Sequence, residues 1–176
     1  MKHGVHSMKM SILLRTIAIY GLLLSAAQAE TPAAPPAAPT PAPAALPQSV
    51  ELTSKAWDAL GKNSHAEAIK IADECLTAFA ASAKALQEQL VKDKATTPVG
   101  EVTPEEKKTL ESHWPLNDVA ACYIIKGLSL LELKKKDEAR DAFTAAAKLS
   151  HARVWDPQGW FWSPADKANE ELEKLK

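Results

Sequence analysis

Across residues 117–133 apolar side chains recur on two faces of a helical wheel, Tyr123, Gly127, Leu130 and Leu133 forming one stripe and Ile124, Leu128 and Leu131 a second. A helix apolar on two faces must be covered on both. Asn117 stands where a side-chain cap would open this helix, with Asp118 in its first turn against the positive end of the helix dipole. Leu133 runs into Lys134-Lys135-Lys136-Asp137, after which residues 138–149 pattern as a second helix able to fold back and supply one cover. The pattern does not show what supplies the other.

Helical spacing recurs on both sides. Leu52, Ala56, Ala59 and Leu60, with Trp57 beside them, predict a helix over 50–60 that stops at Gly61-Lys62-Asn63. Ser64 with Glu67 three residues on has the form of a capping box. Ile69, Ala72, Leu76, Phe79, Ala83, Leu86 and Leu90 then alternate in steps of three and four. They predict a helix over 66–91, ~39 Å long at 1.5 Å per residue. The pattern fails over 93–100, and Thr103-Pro104-Glu105-Glu106 opens a short polar helix that Trp114-Pro115 ends, so 92–115 is an insertion. Ser163-Pro164-Ala165-Asp166 opens a last helix with one narrow stripe, Ala165, Ala168, Leu172 and Leu175, the composition of a terminal capping helix. The predicted fold class is all-α.

Ahead of the helices the composition changes twice. Lys2, Lys9 and Arg15 precede an apolar run over 17–24, and Ala27-Gln28-Ala29 places small residues at a signal-peptidase site. This is the pattern of a secretory signal cleaved after Ala29, and it implies a bacterial periplasmic or extracellular protein. The apolar run is shorter than the ~20 residues of a spanning helix, so no membrane span is expected in the mature chain. Losing three basic residues and no acid takes the formal charge from −1 to −4, and the lone basic run, Lys134 to Lys136, sits at a helix end before Asp137 and Glu138. That is the composition of a solvated turn and not of a nucleic-acid surface. Residues 30–48 hold seven of the twelve prolines. Extended as polyproline II at ~3.1 Å per residue, such a tether reaches about 50 Å and holds the domain of 49–176 away from whatever lies before it.

The helix-turn-helix occurs twice with one internal spacing. Placing Lys55 on Lys126 sets Ala59 on Leu130, Leu60 on Leu131, Glu67 on Glu138, Ala68 on Ala139 and Leu76 on Ala147. Tyr123, Gly127, Leu130, Ala139, Phe143 and Ala146 fall at the spacing of the tetratricopeptide repeat, which the chain resembles over about 49–76 and 118–149. Departures are Lys126 at the usual leucine position and the absence of a closing proline. In the first unit Ala56, Ala68, Ala72 and Cys75 stand at the corresponding places, and the units are 71 residues apart. The resemblance implies antiparallel helical hairpins stacked as a short array, Gly127 and Ala139 marking the close helix crossing. It also implies a concave groove that takes protein or peptide partners, faced by Val50, Thr53, Trp57 and Leu60, then Ala121, Ile124, Leu128, Leu131 and Glu132. Cys75 and Cys122, the only cysteines, would lie on helices that neighbouring repeats pack together, open to a disulfide or to two buried thiols.

A second candidate site lies over 152–162, where Trp155, Trp160 and Trp162 flank Asp156-Pro157-Gln158-Gly159, a type I turn signal. The rings either form a platform for a sugar or peptide, oriented by Asp156, Arg153 or an indole N–H, or fold over the uncovered apolar faces of 117–133. His65, His113 and His151 are scattered, and the sequence holds no His-Glu-x-x-His, Gly-x-Ser-x-Gly or phosphate-cradling loop. No metal, no cofactor and no enzymatic activity are expected. The two functions that remain are a noncatalytic scaffold or adaptor for a protein or peptide, and a glycan or cell-wall binding module using the tryptophan segment.

Overall fold

The computed structural model describes residues 47–176; the expected signal sequence and the expected tether up to residue 46 lie outside the described residues. The described chain is all-α apart from one small sheet: α1 (Gln48–Gly61), α2 (His65–Lys92), α3 (Pro104–Ser112), α4 (Trp114–Glu132), α5 (Lys136–Ala147), β1 (Val154–Asp156), β2 (Trp160–Trp162) and α6 (Pro164–Lys174). Gln48 already belongs to α1 and Ser49 is fully buried, so the folded domain begins before the boundary expected at residue 49.

The α1–α2 and α4–α5 pairs are hairpins closed by the same turn. Asn63 and Lys134, 71 residues apart, both adopt a left-handed backbone, at φ 57° and 62°. The Asn63 N–H donates to the Leu60 carbonyl and the Ser64 N–H to that of Ala59, at 2.9 and 2.8 Å; Lys134 and Lys135 repeat this on Leu131 and Leu130, both at 2.9 Å. This is the Schellman ending, which satisfies carbonyls that a helix terminus otherwise leaves bare. It also corrects one expectation. Ser64 makes no capping bond, because it completes the α1 ending and its backbone (φ −85°, ψ 61°) is not the extended one an N-cap uses. Thr103 does cap α3, its hydroxyl accepting from the Glu106 N–H while the Glu106 carboxylate accepts from the Thr103 N–H.

α4 is the axis of the domain. It packs on α2 and α1 on one side, and on α5 and α6 on the other, so the cover missing from the sequence pattern is the first hairpin together with the C-terminal helix. The helix begins three residues earlier than expected, at Trp114, since Pro115 suits a first helical turn as well as it ends α3. Asn117 is therefore a buried clamp within the helix and not its cap: its amide donates to the Leu110 carbonyl at 2.7 Å and accepts from the Arg153 N–H at 2.8 Å, tying α3, α4 and β1 together. Asp118 likewise lies inside the helix. Leu133 falls beyond the helix end and is exposed.

Within the second hairpin, Gly127 faces Phe143 so closely that an added Cβ would stand 2.5 Å from the ring, which is why the crossing needs a residue without one. The seam between hairpins is more polar. Lys126 reaches Asp73 at 2.6 Å, Ser49 donates to Asp118 at 2.5 Å, and Thr53 lies 3.9 Å from Cys75 Sγ and 3.4 Å from Cys122 Sγ. α6 lays Ala165 and Ala168 into the core, with Leu172 and Leu175 half-buried, and covers α5 and the adjoining part of α4.

Candidate functional site

The segment expected to be an aromatic loop is a β hairpin. Val154 pairs with Trp162, Trp155 with Phe161 and Asp156 with Trp160, and Gly159 closes the three-residue connection at φ +114°, its N–H donating to the Asp156 carbonyl at 2.9 Å. Successive strand residues face opposite ways, so the hairpin sorts its aromatic residues into two sets. Trp155 and Phe161 share one face, edge to face at 5.0 Å. There Phe161 is buried and exchanges two backbone hydrogen bonds with Gly100, while Lys107 of α3 sits 3.8 Å above the Trp155 ring. The polar insertion thus pins this face. Trp160, Trp162 and Asp156 share the other.

That second face closes a cleft of about 440 Å³. Trp57 of α1 and Ile124 and Leu128 of α4 form its inner wall; Trp160, Trp162 and Asp156 form the opposite one; Ser163, Asp166, Lys167 and Glu170 at the start of α6 close the end. Trp57 and Trp162 meet edge to face, with centroids 6.5 Å apart and planes at 74°, so they make a corner and not a flat platform. Ile124 is buried, Leu128 and the two corner rings are half-buried, and Trp160 stands 37% exposed at the lip. Phe161 and Trp162 fold inward, while Trp155 and Trp160 remain at the surface.

Asp156 Oδ1 accepts from the Gln158 N–H at 2.8 Å. Lys167 is drawn to Glu171 at 2.8 Å and reaches Glu170 only at 3.5 Å. The hydrogen bond to Glu171 raises the Lys167 ammonium above its ordinary value. Burial alone would push the Glu171 carboxyl up, but hydrogen bonds from Lys167 and Lys174 overcome it and hold the acid below its ordinary value. Asp166 makes no side-chain bond or ion pair among the described residues.

The candidate residues named from the sequence divide cleanly. Trp57, Ile124, Leu128, Asp156, Trp160 and Trp162 come together, although they were proposed as two separate sites. Leu131 lies outside the cleft, packed with the α5 and α6 side chains, and Trp155 is on the far side of the hairpin. Thr53, expected in the groove, is buried against the two thiols, and Leu60 packs with Ala56, Ala68 and Ile125. Arg153 spends its guanidinium on the carbonyls of Thr97, Pro98, Ser150 and Ala152 and is structural. Sequence reasoning missed Asp166, Lys167 and Glu170, whose only signal was their place on the polar face of α6.

Cys75 and Cys122 are brought together on α2 and α4 as free, buried thiols and not as a disulfide. Cys122, hydrogen-bonded to Cys75 and buried, is pushed above the ordinary thiol value, and Cys75, receiving that bond, lies below it. A larger depression of about 770 Å³ between α1 and α2 contains none of the candidate site residues expected from the sequence; charged Lys70, Asp73 and Glu74 line it. Among the described residues no group of three or more His, Cys, Asp or Glu is placed to hold a metal ion, and no helix is long and apolar enough to cross a membrane. Comparison of the chain with models of known families, with curated proteins and with solved structures finds no match to any of the three.

Proposed function

We propose that the chain is an exported, noncatalytic adaptor, a short tetratricopeptide-like array that binds a protein or peptide segment in the cleft between α1, α4, the β hairpin and α6. One observation carries this reading: Trp57, Ile124 and Leu128, the residues assigned to a partner groove, open into the same cleft as Trp160 and Trp162. Apolar walls with few polar groups at the rim suit a partner side chain inserted as an anchor. The repeated turn at Asn63 and Lys134 supports the array, and the Lys2-to-Ala29 pattern supports export.

The exposed face of Trp160 favours one other reading, a glycan module. Selection of a displayed random-peptide library on the full chain, beside a panel of cell-wall oligosaccharides, separates them. Peptide capture that is lost in Trp160→Ala and Leu128→Ala and kept in Trp155→Ala supports the adaptor. Oligosaccharide binding that needs Trp160 and ignores Leu128 supports the glycan module, and binding that needs only Trp155 removes the cleft from both.

A further inference from the structure

We infer that the cleft recognises a cationic side chain, so that the partner is a basic peptide anchored by an arginine or lysine. The inference rests on the adaptor reading and deepens it. Three features of the cleft converge on a positive charge at the end of an apolar stem.

The first is the aromatic corner. An indole ring presents a negative face, and a cation within about 6 Å of it is attracted, more strongly where water is thin. Trp57 and Trp162, with planes at 74°, turn different edges and faces into one space, and Trp160 stands at its lip. A sugar ring stacks on one broad exposed face; this corner offers a narrower enclosure that a linear side chain enters end on.

The second is the wall beneath the rings. Ile124 and Leu128 give the methylenes of arginine or lysine an apolar surface to lie along while the charged head stays near the rim.

The third is the sign of the rim. Of its charged residues, Asp156, Asp166 and Glu170 are acids and Lys167 is the one base. That base is already engaged by Glu171, which lies beneath it at 2.8 Å, so its charge is answered from within α6. Asp156 gives one oxygen to the hairpin turn and keeps the other, and Asp166 sits at the mouth. Glu170 shares Lys167 at 3.5 Å and Asp166 stands within the field of Arg153, yet the acids lining the rim outnumber its base three to one. An incoming cation thus meets an excess of negative charge and the free Asp156 oxygen, whereas an anion meets repulsion from three of the four charged groups.

The test uses the full chain and three blocked pentapeptides, Ala-Ala-Arg-Ala-Ala, its citrulline counterpart and its glutamate counterpart, titrated while the tryptophan indole N–H resonances are followed by NMR. The arginine peptide should move the Trp57, Trp160 and Trp162 signals, leave Trp155 still, and bind about fivefold or more tightly than the citrulline peptide, the difference between a cation and a neutral group of like shape. Its affinity should fall in Asp166→Asn and in Asp156→Asn, which retains an acceptor for the Gln158 N–H, and fall again as salt is raised. Equal binding of arginine and citrulline peptides at the cleft indoles overturns the cation and leaves the adaptor standing. Failure of all three peptides to move those indoles, where a cell-wall oligosaccharide does move them, overturns both; failure of every ligand to move them overturns the cationic anchor.

Discussion

The two hairpins follow one path and fill it in opposite ways. At positions related by the 71-residue spacing, the first hairpin has Ala56 and Ala72 where the second has Gly127 and Phe143, and all four are buried. The first hairpin carries a methyl group at each position, in two different parts of the core; the second leaves one helix bare so that its partner can insert a ring. The backbone turn is conserved between them while the packing is not, so the turn geometry and the interior volume are separate determinants of the hairpin. Two alanines occupy less than glycine plus phenylalanine, so close packing in the first hairpin draws on other side chains, Ile125 of α4 packing with Ala56, Ala59 and Ala68.

The largest expected effect comes from emptying the asymmetric crossing. Phe143→Ala leaves a cavity against a glycine and should cost ~3–5 kcal/mol in denaturant unfolding. The comparison makes a sharper demand on the double variant. Gly127→Ala with Phe143→Ala recreates the alanine pair of the first hairpin, and it should be at least as stable as Phe143→Ala alone, a departure from additivity that a double-mutant cycle reads directly.

Next in size is a feature the first hairpin lacks. The counterpart of Asp118 in the spacing is Pro47, ahead of α1, whereas Asp118 is inside α4 and lies over the start of α1, bonded to Ser49. Burial raises its carboxyl from 3.8 to about 6, the Ser49 hydrogen bond working the other way. The folded chain therefore holds this proton more tightly than the unfolded one, so the group is neutral in the fold below that window. Rising pH between 3.8 and about 6 removes stability, by up to about 3 kcal/mol once complete. Asp118→Asn keeps an acceptor for Ser49 and cannot ionise. It should match the parent near pH 4 and exceed it at pH 7, flattening the pH dependence of chemical unfolding over that window.

Gly127→Ala taken alone is smaller, because two effects oppose. The added Cβ meets the Phe143 ring at 2.5 Å, and that ring is fully buried with little room to yield, an overpacking worth ~1–3 kcal/mol. Alanine returns roughly 1 kcal/mol of helix propensity. Net destabilisation of about 1–2 kcal/mol is expected. Gly61→Ala, where nothing lies within 4 Å of the added carbon, is the control and should not destabilise.

Much of this fold was legible because helical periodicity is a local signal. Ile69 to Leu90 defined α2 almost to its ends, and the Thr103 and Ser163 caps marked α3 and α6 correctly. What failed was punctuation with two meanings. Pro115 ends one helix and opens another, so Asn117, which has the chemistry of a cap, is a clamp inside α4; Ser64 too has the chemistry of a cap but is held by the preceding helix ending. The hairpin was hidden because strands of three residues, the second of them aromatic throughout, are too short to show an alternation of polar and apolar residues. Without strands there was no reason to separate Trp155 from Trp160 and Trp162. The cleft reads as two halves in the sequence, since its lining comes from three separate stretches of the chain, around Trp57, around Ile124 and from Asp156 onward, which meet only because α4 packs against both sides.

The smallest expected effect isolates the turn that the hairpins share. Asn63 and Lys134 occupy the same left-handed position with the same hydrogen bonds, but they are not equally suited to it. In that conformation Cβ crowds the neighbouring carbonyl oxygen, at roughly 1–2 kcal/mol for an ordinary residue, and asparagine is among the few that tolerate it. Lys134→Asn should therefore stabilise the chain by about 0.5–1 kcal/mol, and Asn63→Lys should destabilise it by a similar amount. Both substitutions are at exposed positions, so neither result is confounded by packing. Opposite signs of equal size would establish the two turns as energetically interchangeable, with the asymmetry of the hairpins confined to their interiors. A null effect at Lys134 beside a real one at Asn63 would instead place a second difference in the turn itself, the neighbouring lysines of the second hairpin being the first place to look for it.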